Sequence, residues 1–158
     1  MTKFLLSVHV LAAIVAIGPV TVAASMFPAA ARRARAQTGT DRDLAVLRSL
    51  HRICRVYAAV GVVVPVFGLA TASSLGVLGD AWLITSIALT AAAASVLVLL
   101  VLPRQARILA SAAGPEPSGS VRDERAPARL AMYTGMFNVL WAVVTVLMIV
   151  RPGSTTGA

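Results

Sequence analysis

His9 is the only ionisable side chain lying well inside an apolar run of this 158-residue chain. An imidazole there could hold a metal or a haem, relay a proton, or tie two helices together. Counting about 1.5 Å per residue from Phe4 puts it about 8 Å below the end of its run. Ser73, Ser74, Thr85, Ser86 and Thr145 are expected at the same depth. Those hydroxyls suffice to satisfy a neutral ring, so a structural histidine and a ligand histidine both stay open. Asn138 is the second such group, since an amide in mid-run needs partners, and such bonds are worth roughly 1 kcal/mol. Carbonyls freed by Pro19 and Pro65 are candidates for it. The intramembrane polar candidates beside His9 are thus Asn138, Thr145, Ser73 and Thr85. Polar glue for a bundle is one reading of them. A solute or ion pathway near Gly18, Pro65 and Asn138 is the other.

The remaining reactive groups point to less. His51 sits among Arg48, Arg52 and Arg55, where a solvated setting is expected. Cys54 is the single cysteine, which excludes an intrachain disulfide and a CxxC motif. It reads as a buried thiol, with lipidation as the alternative. No run contains a carboxylate, and no phosphate-cradling glycine loop or nucleophile–base pair is present. No catalytic residue and no metal site is therefore assigned.

Four apolar runs must position these groups: residues 4–27, 56–78, 82–102 and 130–150. Each is near the roughly 20 residues that cross about 30 Å of hydrocarbon. The chain is 58% hydrophobic and only 13% charged, against about a quarter charged in soluble domains. It reads as one membrane domain over residues 1–158, all-α, an up-and-down bundle of four transmembrane helices. A barrel is excluded because the runs are continuously apolar and four strands cannot close one. The first run exceeds a signal-peptide core of about 7–15 residues, and cleavage would translocate Arg32, Arg33 and Arg35, so it reads as a retained span.

The net charge of +8 lies in two loops, 28–55 and 103–129. Arginine is retained on the cytoplasmic side, so both loops are expected there, with Asp80 and both termini outside. Anionic headgroups at Arg32, Arg33, Arg35, Arg104 and Arg107 account for the charge better than nucleic acid does. Thr40 and Asp43 have the form of a capping box, and Leu44, Leu47, Leu50 and Cys54 follow at helical spacing. Helix two therefore starts near Asp41, outside the membrane. Pro28 and Pro103 are expected to close runs one and three. Gly18-Pro19 and Pro65 are expected to interrupt runs one and two. Gly114 to Ser120 form a breaker cluster.

Close backbone approach, not leucine burial, drives helices together in lipid. The candidate contact stripes are Ala12, Ala16, Pro19 and Ala23; Gly61, Pro65, Gly68, Ala72 and Gly76; Thr85, Ala88, Ala92 and Ser95; and Thr134, Asn138, Trp141 and Thr145. Tyr57, Trp82 and Tyr133 fit interfacial anchors.

The opening Leu5, Leu6, Ser7, Val8, His9, Val10, Leu11, Ala12 and Ala13, with Gly18 beyond, resembles a pattern in small bacterial membrane families. Over most of its length, with its basic first loop and the stretch Pro65, Val66, Phe67, Gly68, the chain resembles an uncharacterised domain-of-unknown-function family of four-helix integral membrane proteins. Helix one alone is distantly similar to copper-resistance D-type membrane domains and haem-associated protoporphyrinogen oxidases. That second likeness implies copper or haem at His9, although Ile17 stands where their tryptophan precedes the glycine. The expected function is a small structural or accessory component of the bacterial inner membrane, self-associating or joined to a complex. The alternatives are a haem- or metal-dependent oxidoreductase using His9, and a transporter.

Overall fold

Backbone groups in hydrocarbon must bond internally, and the chain does this with helices. The computed structural model describes residues 2–36, 41–114 and 125–153. The elements are α1 (Thr2–Ala36), α2 (Asp41–Val60), α3 (Val63–Leu75), α4 (Ala81–Ser95), a π-helical segment (Val96–Val101), α5 (Leu102–Ala113) and α6 (Ala126–Val150). No strand occurs among the described residues. They form four rods long and apolar enough to cross a membrane: Lys3–Arg35, Asp41–Leu75, Ala81–Ala113 and Ala126–Val150. Large apolar side chains point outward on every rod, among them Leu11, Val66, Leu99 and Val139. Such a surface suits acyl chains and would aggregate in water. The protein is an all-α, multi-pass membrane bundle.

The first three rods outrun the bilayer. They hold 33, 35 and 33 residues, about 50 Å each against about 30 Å of hydrocarbon. α1 runs unbroken through Pro19 and Pro28, so neither proline ends or interrupts it as expected. α1 packs on α2, α3 and α6, and that enclosure holds the helix together where a proline removes one bond. A Cβ on Gly18 would meet nothing within 4 Å, so this glycine is not a close-approach point. Rod two breaks where Pro65 is expected to break it, one turn upstream. The Gly61 N–H bonds Tyr57 O at 2.8 Å, and the Val64 N–H takes Gly61 O at 3.2 Å, the carbonyl Pro65 cannot serve.

Rod three passes through Pro103 instead of closing there. The turn upstream widens, with the Leu102 N–H reaching back to Leu97 O. Pro103 then falls in the first turn of α5, where a missing N–H is harmless. α2 starts at Asp41 as expected; Thr40 of the capping box lies outside the described residues, as does the breaker cluster beyond Gly114.

Around the bundle, α3 lies on α1, α1 on α6, and α6 on α4 and the π segment. Ala16, Ala23, Ala72 and Thr134 are buried as the small-residue stripes anticipate. On α4 the stripe is displaced by one residue: Thr85, Ala88, Ala92 and Ser95 face outward, while Trp82, Ser86 and Ala93 face in. A run of alanines offers nearly the same surface on every side. Packing on α6 and the π segment sets the rotation. Pro65, Gly76 and Thr145 also lie on the outer side of their helices.

Where the rods leave the bundle at the arginine end, α1, α2 and α5 meet one another. Ala31, Leu47, Leu50, Cys54, Gln105 and Ile108 are buried there. Much of both arginine loops is therefore a three-helix extension whose buried residues continue the core of the bundle.

Candidate functional site

Polar side chains gather at four levels. At the hairpin end, Gly76 takes a left-handed φ of 71° and closes α3, with the Val77 N–H bonded to Ala72 O at 3.2 Å. Glycine takes that conformation without strain. The Trp82 indole N–H donates to Asp80 Oδ2 at 2.9 Å, and the Arg151 guanidinium lies 5.6 Å from the Trp82 ring centroid. At the arginine end, Arg104 stacks 4.2 Å from the Tyr133 centroid and donates to Leu100 O at 3.1 Å. Trp82 and Arg104 are 22 residues apart on one rod, about 33 Å at helical rise. The distance between these two aromatic–arginine brackets is close to the roughly 30 Å of a bilayer's hydrocarbon core. Tyr57 packs against the core near the same end.

Between the brackets sits His9, with Nδ1 2.9 Å from Val64 O. A carbonyl only accepts, so Nδ1 carries the proton and donates. A Cβ on Gly68 would stand 2.9 Å from His9 Cε1, 3.2 Å from Nδ1 and 3.7 Å from Nε2. The missing Cβ of glycine is what leaves room for the ring beside α3. Val64 is twelve residues before Gly76, about 18 Å along the helix. His9 is thus deeper than a count from Phe4 suggests, because α1 begins below the level of the hairpin turn.

The hydroxyls expected around His9 are bonded elsewhere. Thr85 donates to Ala81 O at 2.8 Å, Ser86 to Trp82 O at 2.8 Å, Thr145 to Trp141 O at 2.9 Å and Ser74 to Thr71 O at 2.9 Å. Ser73 and Ser74 are exposed. Asn138 Nδ2 donates to Ser25 Oγ at 3.1 Å, so its partner is a hydroxyl on α1 and not a proline-freed carbonyl. Thr134 Oγ1 and Asn138 Oδ1 are buried and have no hydrogen bond from the protein.

In the extension, His51 Nδ1 lies 3.1 Å from Gln105 Oε1, and Gln105 Nε2 donates to Cys54 Sγ at 3.5 Å. His51 is half-buried and Cys54 fully so; the expected solvated histidine is a member of a buried network instead. Gln105 escaped notice in the sequence because Pro103 pointed to a loop. Leu97, Val101, Gln105 and Ile108 at helical spacing were the signal that could have found it. Among the described residues no group of three or more His, Cys, Asp or Glu could hold a metal ion.

Compared with known families, residues 3–152 match one described as "Predicted integral membrane protein (DUF2269)". No curated protein and no solved structure matches the chain.

Proposed function

We propose that this chain, which belongs to the DUF2269 family of predicted integral membrane proteins, is a small non-enzymatic accessory subunit of the bacterial inner membrane. The observation that carries this is the three-helix extension of α1, α2 and α5. A bare anchor needs no helix beyond the bilayer. This one continues three, packs them on Leu47, Leu50 and Ile108, and turns Arg48, Arg52 and Arg55 outward. Such a surface suits an attachment to another subunit or to a second copy. The arginine end faces the cytoplasm by the retention of basic segments there, which leaves the hairpin turn and both termini outside. Arg32, Arg33, Arg35, Arg104 and Arg107 then fall within about 10 Å of the headgroup level and meet anionic lipid.

His9 reads best as a structural donor. Its Nδ1 proton is committed to Val64 O at 2.9 Å, and the ring fills the space that a Cβ on Gly68 would take, 2.9 Å from Cε1. A Soret band in the purified protein that disappears in His9→Ala would overturn this reading. The accessory role is tested by native mass spectrometry from mild detergent. A stoichiometric larger assembly that dissociates in the Arg48→Glu/Arg52→Glu variant supports it; a lone chain carrying only lipid refutes it.

A further inference from the structure

We propose that a water molecule is bound inside the bundle, at the interface of α6 with α1, bridging Thr134 and Asn138. Neither Thr134 Oγ1 nor Asn138 Oδ1 receives a hydrogen bond from the protein, and both atoms are buried. They are four residues apart on α6, so their side chains emerge on one face about 5–6 Å apart at Cβ. That gap suits one water with an O–H directed at each oxygen. Turning the Asn138 amide over exchanges the end bonded to Ser25 and still leaves the other end open.

The behaviour of the other hydroxyls sharpens the case. Ser7, Thr71, Thr85, Ser86, Thr90, Ser95 and Thr145 each donate to the carbonyl four residues back in their own helix. Thr134, only 2% exposed, makes no such bond. A buried hydroxyl that forgoes its local acceptor is available to an outside partner. Neutral water fits better than a cation. Two uncharged oxygens replace too little of an ion's hydration shell, and no carboxylate lies in the spans to neutralise it. Buried waters of this kind join polar groups that have no protein partner.

Phe137 stands three residues after Thr134 and neighbours it on the surface of α6; it is 1% exposed and therefore shielded from bulk solvent. Radiolytic hydroxyl labelling, which marks side chains next to bound water, reads the site through it. In the wild-type protein in lipid nanodiscs, Phe137 is expected to be oxidised despite its burial. In Thr134→Val, a nearly isosteric change, that oxidation falls several-fold; in Asn138→Leu it falls likewise. Unreactive Cys54 in each variant certifies that the bundle is intact. An unlabelled Phe137 in the wild type, or equal labelling in folded Thr134→Val, overturns the proposal.

Discussion

Replacing Gly68 by alanine is the sharpest probe of the intramembrane contact. The new methyl would stand 2.9 Å from His9 Cε1 and 3.2 Å from Nδ1, inside the distance that carbon atoms tolerate. The ring must retreat, and its 2.9 Å bond to Val64 O must lengthen or break. Overpacking of this kind costs about 1–3 kcal/mol, and the lost interhelical bond about 0.6–1 kcal/mol. Against these, alanine is better than glycine in a helix by about 1 kcal/mol. The sum is a loss of about 1–3 kcal/mol. In a His9→Ala background the clash and the bond are both gone, and only the helical gain remains, so Gly68→Ala becomes neutral or stabilising. The change of sign is the signature. The single thiol supplies the assay: Cys54 is buried, so a thiol-reactive dye reports unfolding during a thermal ramp in detergent. The expected result is a Tm lowered by several degrees in Gly68→Ala and unchanged or raised by the same substitution in His9→Ala. Gly68→Ala that stabilises the wild type, or that destabilises both backgrounds equally, would refute the reasoning.

Gln105→Leu removes the amide that joins His51 to Cys54 and leaves a half-buried imidazole without its partner. A loss of about 1–3 kcal/mol is expected, seen as faster labelling of Cys54 below the melting point. Tyr133→Leu deletes the ring beneath Arg104 and should cost about 0.5–1 kcal/mol, with no further loss when combined with Arg104→Ala; additive losses would mean the stacking is incidental. Gly79→Cys and Gly114→Cys report the threading. An impermeant maleimide should label the first in intact cells and the second only after permeabilisation, and the reverse pattern would invert the protein.

Solvent preference is written residue by residue, so it could be read without coordinates. Four apolar runs in a chain only 13% charged require helices, because hydrocarbon offers the backbone no partner. The start of α2 at Asp41 and the break ahead of Pro65 were legible for the same local reason: charge, spacing and a missing N–H act within a turn or two. Packing decided the rest. Proline marks a weak point in a helix without saying whether neighbours will hold it together, so Pro19, Pro28 and Pro103 were misjudged. Alanines on α4 carry too little shape to fix their rotation, and the buried face was settled by where α4 packs on α6 and the π segment. The depth of His9 depends on how far α1 slides along α3, a distance no single helix encodes; the notch at Gly68 and the carbonyl of Val64 set it only once both helices are in place.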